Sequence, residues 1–236
     1  ILITIVANDA LPHQKEFVEF MRNRLPRVTG IVHNINTSKT NVIFGEQFTT
    51  LYGENSIVES ICGLKFKVAA QSFLQVNHSQ TEKLYSLAID GLNLKGNELV
   101  FDLYCGIGTI SLLLALKAKK VIGIESVPQA ISDAKHNSEM NGIHNIEFIC
   151  AEAESALHQL VKESVKPNAI VLDPPRKGCD KTVLDAIIEC QPEKIAYISC
   201  NPETLARDLK ELAQGGYAIK SVQPVDMFPG TGQVEC

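Results

Sequence analysis

From about residue 100 onward the chain alternates short apolar runs with longer amphipathic ones, and this rhythm constrains the fold more than any other feature. Strands are predicted at 100–103, 121–125, 146–150, 169–172 and 195–199, and helices at 109–118, 128–141, 152–163, 181–190 and 202–213. Short continuous apolar strands separated by helices imply a mostly parallel sheet covered on both faces, a doubly wound α/β domain. Such sheets bind ligands beyond the carboxyl ends of their strands, and the distinctive motifs of this sequence fall at those ends.

The first part of the chain has a different pattern. A strand at 1–7 precedes a helix over 13–23 that carries Phe17, Phe20 and Met21 and is ended by Pro26. Further β-rich runs are read at 30–36, 41–45 and 57–68, broken by glycines. We expect a small strand-rich α+β domain over 1–72 and a larger α/β domain over 73–236. The chain starts at Ile1 and ends in an apolar run at Cys236, so it reads as part of a longer protein.

Val100-Phe101-Asp102-Leu103-Tyr104-Cys105-Gly106-Ile107-Gly108-Thr109 is a strand running through a glycine turn into a helix, an arrangement that brings backbone N–H groups close to a ligand. On its own the two-glycine turn also fits an ordinary strand-to-helix connection. A dinucleotide fingerprint requires Gly or Ala at position 111, where this chain has Ser111. Asp102 before the turn fits enzymes that grip the amino-acid end of S-adenosylmethionine. Glu125 ends the next strand, where a carboxylate can accept both ribose hydroxyls. Glu152 follows the third strand and could meet an adenine amino group, or simply favour a helix start.

Two further strand ends carry reactive groups. Asp173-Pro174-Pro175-Arg176 follows the fourth strand, with two prolines making a rigid exit. Ser199-Cys200-Asn201-Pro202 follows the fifth, and the adjoining helix start is expected to lower the Cys200 thiol below its ordinary pKa. The seven cysteines show no C-x-x-C spacing, so no metal site is predicted. Their odd number, with no secretory signal, points to reduced thiols in a cytoplasmic protein. Glu235 is the candidate general base.

Taken in order, Ser72-Phe73-Leu74-Gln75-Val76-Asn77, Asp102-Leu103-Tyr104-Cys105-Gly106, Asp173-Pro174-Pro175-Arg176 and Ser199-Cys200-Asn201-Pro202 resemble the RNA 5-methyluridine methyltransferases. The resemblance spans roughly residues 72–235, and the first part resembles that family's central domain. It implies a Rossmann-like S-adenosylmethionine-dependent catalytic domain, with Gln75, Tyr104, Thr109, Glu125, Glu152 and Asp173 at the cofactor. Phe73, Gln75 and Asp173 are implied to meet the uracil, Phe73 by stacking. Cys200 matches the nucleophile and Glu235 the base.

The implied substrate is RNA, ribosomal RNA of the large subunit ahead of transfer RNA, with no membrane and no obligate protein partner. Some members carry an N-terminal RNA-binding barrel or an iron–sulfur cluster, neither visible between Ile1 and Cys236. The chemistry explains the residues. A thiolate adding to carbon 6 of uracil makes carbon 5 nucleophilic, and a base must later remove the carbon-5 proton.

Two departures from the family pattern are expected to matter. Asp226-Met227-Phe228-Pro229-Gly230-Thr231-Gly232-Gln233-Val234-Glu235 has Gln233 where the family usually has histidine, and two glycines that loosen the loop. The chain also ends one residue beyond Glu235, without the strand expected to anchor it. The net charge of −5 is unusual for an RNA-binding chain and assigns the basic surface to local clusters or to a further domain. Rival readings are a base amino-methyltransferase using Asp173 without a nucleophile, a nicotinamide oxidoreductase, and a catalytically impaired RNA-binding remnant.

Overall fold

The computed structural model describes residues 1–39 and 42–236. Its elements run β1 (Leu2–Ala7), α1 (Gln14–Arg24), β2 (Gly30–Ile35), β3 (Gln47–Gly53), β4 (Ser56–Ile61), β5 (Leu64–Ala69), α2 (His78–Gly91), β6 (Leu99–Leu103), α3 (Thr109–Ala115), β7 (Lys120–Glu125), α4 (Pro128–Met140), β8 (Ile146–Cys150), α5 (Ala153–Lys162), β9 (Ala169–Leu172), α6 (Lys181–Cys190), β10 (Lys194–Tyr197) and α7 (Pro202–Gln214). The chain divides into two compact units, residues 1–59 with 67–73, and residues 60–66 with 74–236.

In the first unit β1 and β2 pair in parallel across α1, and β2 pairs antiparallel with β3. The run predicted as a strand at 41–45 is not one at 42–45, and Asn41 lies outside the described residues. Side-chain amides hold this stretch instead. Asn36 Nδ2 donates to the carbonyls of Val42 and Ile43, and the fully buried Asn34 brackets Gly45, donating to its carbonyl and accepting from its N–H. Backbone groups satisfied in this way are withdrawn from a ladder. The strand falls later, at β3. The predicted run at 57–68 is a hairpin, β4 and β5, turned at Cys62 and Gly63 with φ of 48° and 81°, the positive pair that a two-residue hairpin turn requires.

The second unit is built on a five-stranded, all-parallel sheet in the order β10-β9-β6-β7-β8. The chain leaves β6 in one direction and returns to its other side at β9, so the ligand crevice of such a sheet lies at the carboxyl ends of β6 and β9. Alternation along each strand fills both faces. Phe101, Leu103, Ile122, Ile124, Ile170 and Leu172 meet Ala153, Ala156, Leu157 and Leu160 of α5 and Val183, Leu184 and Ile187 of α6. The opposite face is covered by α3 and α4. Helix α2, capped by Asn77, packs against α3 and β10 and was not foreseen from the sequence. Its first turn is polar and its buried face is carried by Thr81, Leu84, Tyr85 and Ile89.

Candidate active site

The turn after β6 alternates left-handed backbone: Tyr104, Gly106 and Gly108 have φ of 65°, 54° and 84°. For tyrosine that conformation costs on the order of 1 kcal/mol, and such strain concentrates at functional turns. A Cβ on Gly106 would meet nothing within 4 Å, so the backbone there borders open space. Glu125, at the end of β7, is held from both sides, Oε2 accepting from Gly106 N–H (3.2 Å) and Oε1 from Val127 N–H (2.9 Å). Its carboxylate is thereby oriented at the crevice, with lone pairs left over.

Behind the turn Asp102 is fully buried, and Ser111 Oγ donates to its Oδ2 at 2.5 Å while Oδ1 has no partner. Ser111 therefore has a positive role, holding Asp102 from the first turns of α3. Gly123 makes room for it, since a Cβ there would meet Phe148 at 2.7 Å and Ser111 Oγ at 3.0 Å. Burial pushes the Asp102 carboxyl up to about 7, against the pull of the Ser111 bond.

Asp173, directly after β9, is also pushed up to about 7, by burial first and then by Glu235 and Asp102. Three acidic groups from three distant segments thus share one site. Tyr85 of α2 stands among them, 3% exposed, beside Thr109 and close to Asp173, Asp102 and Glu235. Burial and these carboxylates push its hydroxyl well above the ordinary tyrosine range, so it remains a neutral donor. Sequence reading missed Tyr85 because α2 itself was missed.

Cys200 lies half-buried just before α7, with Glu235, Arg176 and Asp173 as its charged neighbours. Its thiol is not lowered as the helix start led us to expect. Asn201, the N-cap of α7, takes the free Glu203 N–H with its own side chain, and burial and the two carboxylates push the thiol up against the opposing pull of Arg176 and a backbone hydrogen bond. Arg176 is the cation facing both Cys200 and Glu235. Its carbonyl accepts from Asn201 Nδ2 (3.1 Å) and Thr204 Oγ1 (3.3 Å), which ties the Asp173–Arg176 turn to the Cys200 turn.

Glu235 is 3% exposed and its Oε2 has no hydrogen-bond partner. The strand expected beyond it is not needed to fix it. Glu235 exchanges both backbone bonds with Val225 (2.8 and 3.1 Å), and Cys236 exchanges both with Ser199 (2.8 and 2.9 Å). In an antiparallel register the pair after Ser199 and Cys236 is Cys200 and Glu235, the close, non-hydrogen-bonded kind. Burial raises the Glu235 carboxyl, with Arg176 countering.

The remaining predicted residues are less converged. Gln75 is half-buried and Glu152 is an exposed N-cap of α5 with no capping bond. Tyr104 turns its hydroxyl toward Cys179. Thr109 is buried beside Tyr85. Phe73, grouped with the first unit, is 75% exposed. Among the described residues no cluster of three or more His, Cys, Asp or Glu could hold a metal ion, and no helix is long and apolar enough to cross a membrane.

The turn after Asp173 rests on a buried support. Asp208, fully buried in α7, accepts from Cys179 N–H (2.8 Å), Tyr197 Oη (2.6 Å) and Arg207 Nε when its two oxygens are taken together, and Arg207 Nη2 donates to the carbonyls of Lys177 and Cys179. Gly178 has φ of 74°, and a Cβ there would lie 2.6 Å from Arg207 Nη2 and Asp208 Oδ2. Gly178→Ala is expected to cost roughly 2 kcal/mol through strain and a broken network. That corresponds to a fall in Tm of about 4–8 °C, read by thermal unfolding. An unchanged Tm would show that the network yields freely.

A parallel five-stranded sheet with a glycine turn after its first strand, acidic residues at successive strand ends and α2 to α7 around it defines a Rossmann-like fold of the methyltransferase type. Its neighbours among solved structures agree. A Pyrococcus abyssi tRNA (uracil-54, C5)-methyltransferase in complex with S-adenosyl-L-homocysteine has a TM-score of 0.77 and 30% identity, over 99% of this chain and 54% of that one. Trm5b of the same organism shares the fold at a TM-score of 0.63 and 18% identity, over 99% of this chain and 70% of that one.

The family model for tRNA (Uracil-5-)-methyltransferase matches residues 32–236, and the chain belongs to that family. A Bacillus cereus protein described as an RNA methyltransferase is 50% identical over 235 residues, covering 100% of this chain and 51% of its own length. One from Clostridium acetobutylicum with the same description is 48% identical over 236 residues, again 100% of this chain and 51% of the relative. The chain thus spans about half the length of the curated relatives it matches.

Proposed function

We propose that the protein methylates carbon 5 of a uridine in RNA, using S-adenosylmethionine and a transient bond between Cys200 and carbon 6. The observation that carries this reading is the pairing of a thiol with a buried, unpartnered carboxylate. Cys200 and Glu235 are consecutive to the bonded pair Ser199 and Cys236, and Glu235 Oε2 is left without a donor. An amino-methyltransferase needs neither group.

The residues present fit the cofactor. Gly106 borders open space, Glu125 is oriented by two N–H groups, and Asp102 keeps one buried oxygen free. Glu125 would accept the ribose hydroxyls and Asp102 would anchor the amino-acid end, with Gln75, Tyr104, Thr109, Glu152 and Asp173 forming the rest of the site. When bound, the cofactor supplies an electrophilic methyl group on a positively charged sulfur.

The protein's own steps are then three. The Cys200 thiolate adds to carbon 6, and the electron pair of the 5,6 double bond moves onto the ring as an enolate stabilised by neighbouring donors. Asp173 and Gln75 hold the edge of a uracil swung out of its helix. After carbon 5 has been methylated, Glu235 takes its proton, the double bond reforms and the thiolate leaves. Arg176, which faces both side chains, favours the ionised form of each.

The test is release of tritium from RNA labelled at carbon 5 of uridine, with ribosomal and transfer RNA assayed side by side. Release dependent on S-adenosylmethionine supports the reading. Cofactor binding with methylation of RNA but without tritium release would transfer the assignment to an amino group and remove carbon 5 from the mechanism.

A pH dependence follows from the carboxyls. Asp102 and Asp173, raised to about 7, bind protons more tightly folded than unfolded. Their contribution to stability is complete below the unfolded pKa near 4 and is lost as pH rises through about 7. The ligand-free protein is therefore expected to lose Tm between pH 5 and 8. A sulfonium offsets the ionised carboxylates and a thioether does not. Stabilisation by S-adenosylmethionine should exceed that by S-adenosylhomocysteine, with the gap widening from pH 6 to pH 8. A gap independent of pH in thermal-shift measurements would remove the carboxyls from cofactor binding.

A further inference from the structure

Beyond Gln214 the chain has neither helix nor strand, and among the described residues there Val225, Met227 and Glu235 are the buried ones. Two anchors fix the approach to Glu235, the Cys236–Ser199 backbone pair on one side and Val225, followed by Met227, on the other. Val225 is one hydrogen-bonded step away, bridged to Glu235 in both directions, and its carbonyl also accepts from Met227 N–H (3.0 Å). The Met227 carbonyl accepts in turn from Asn77 Nδ2 at 3.2 Å, across 150 residues of sequence. The same asparagine caps α2, its Oδ1 accepting from Gln80 N–H (3.4 Å) and Ser79 Oγ (3.2 Å). One turn on, Thr81 donates to the Asn77 carbonyl (2.8 Å) and touches Met227 Sδ (3.9 Å).

A single side chain thus closes a polar path from the start of α2 to the backbone of Glu235. The loop between Met227 and Glu235 cannot supply that rigidity. It contains Gly230, with φ of 83°, and Gly232, and its internal bonds run from Thr231 to Phe228 and from Gln233 to Thr231, never to the sheet.

We infer that Asn77 is a positioning residue for the reaction, setting the place of the Glu235 carboxylate beside Cys200 through Met227 and Val225. The inference rests on Glu235 acting as the base. A base displaced by even about 1 Å loses on the order of 10²-fold in rate. The step that suffers is removal of the carbon-5 proton, not cofactor binding or thiol addition. A displaced Glu235 therefore leaves a signature that a damaged fold does not, an RNA joined to Cys200 that has received its methyl group and cannot leave.

The experiment compares the parent, Asn77→Asp and Glu235→Gln with S-adenosylmethionine and substrate RNA. Asn77→Asp keeps the oxygen that caps α2 and loses the Nδ2 donor to Met227. Expected for Asn77→Asp are an unchanged Tm, cofactor affinity within about twofold of the parent, tritium release reduced on the order of 10²-fold, and a denaturant-resistant protein–RNA band. If Glu235→Gln gives that band and Asn77→Asp turns over like the parent without it, the positioning role is overturned while the base assignment stands. If Asn77→Asp loses Tm and cofactor affinity together, the residue is only a helix cap and the inference falls. If Glu235→Gln itself turns over normally, the reading of Glu235 fails and the inference goes with it.

Discussion

Replacing Cys200 with alanine is expected to abolish tritium release, by on the order of 10⁴-fold or more, while the protein still binds S-adenosylmethionine. The size follows from the chemistry. Carbon 5 of uracil is not nucleophilic until carbon 6 is bonded, so no weaker version of the reaction remains when the sulfur is gone. Cofactor binding survives because Gly106, Glu125 and Asp102 are organised by β6, β7 and α3, and none of their hydrogen bonds involves Cys200.

The parent's pH profile should carry the same information. Burial, Glu235 and Asp173 raise the thiol above its ordinary value, so the thiolate fraction is small near neutrality. The rate of adduct formation should climb with pH through the neutral range. Arg176→Ala, which removes the opposing cation, should move that rise to higher pH. Measurable methylation at carbon 5 by Cys200→Ala would end the covalent reading. Loss of cofactor binding by the same variant would mean that the fold and not the chemistry had been hit.

What the sequence disclosed was the part governed by local rules. All five strands of the parallel sheet are short apolar runs, and each was placed within a residue or two. The glycine turn and the Pro174-Pro175 exit declare themselves by residue type, since few side chains tolerate their backbone. The parts that escaped depend on partners remote in the chain. Helix α2 starts with polar residues and shows its apolar face only at Leu84, Tyr85 and Ile89, so Tyr85 went unseen. Asn34 and Asn36 turned an apparent strand at 42–45 into a loop by capturing its carbonyls. The thiol of Cys200 was expected to be low from its place before a helix. Burial first, and then the carboxylates of Glu235 from the chain end and Asp173 from the β9 turn, reverse the sign, while the Asn201 side chain takes the N–H at the helix start.

The anchoring of Glu235 has the same origin. Nothing local in Gln233-Val234-Glu235-Cys236 reveals that Val225 and Ser199 flank it, and this bears directly on the final prediction. Glu235→Gln is expected to reduce turnover by about 10²–10⁴-fold, the usual worth of a positioned base, while the first half of the reaction proceeds. Glutamine keeps the size and the backbone of the buried side chain, so the bridge to Val225 and the pair between Cys236 and Ser199 should persist. Removing the charge also relieves Cys200 of its stronger repelling neighbour, which favours the thiolate. Addition to carbon 6 and methylation of carbon 5 should therefore be no slower than in the parent, and only the exit should be blocked.

With S-adenosylmethionine labelled in its methyl group, label should appear in a protein–RNA species that survives denaturation, approaching one equivalent per protein. Tritium at carbon 5 should stay in that species. Adduct lacking the methyl label would assign Glu235 to an earlier step than proton removal. Full turnover with normal tritium release would transfer the base role to another group, for which Asp173, raised to about 7 in the same site, is the nearest candidate.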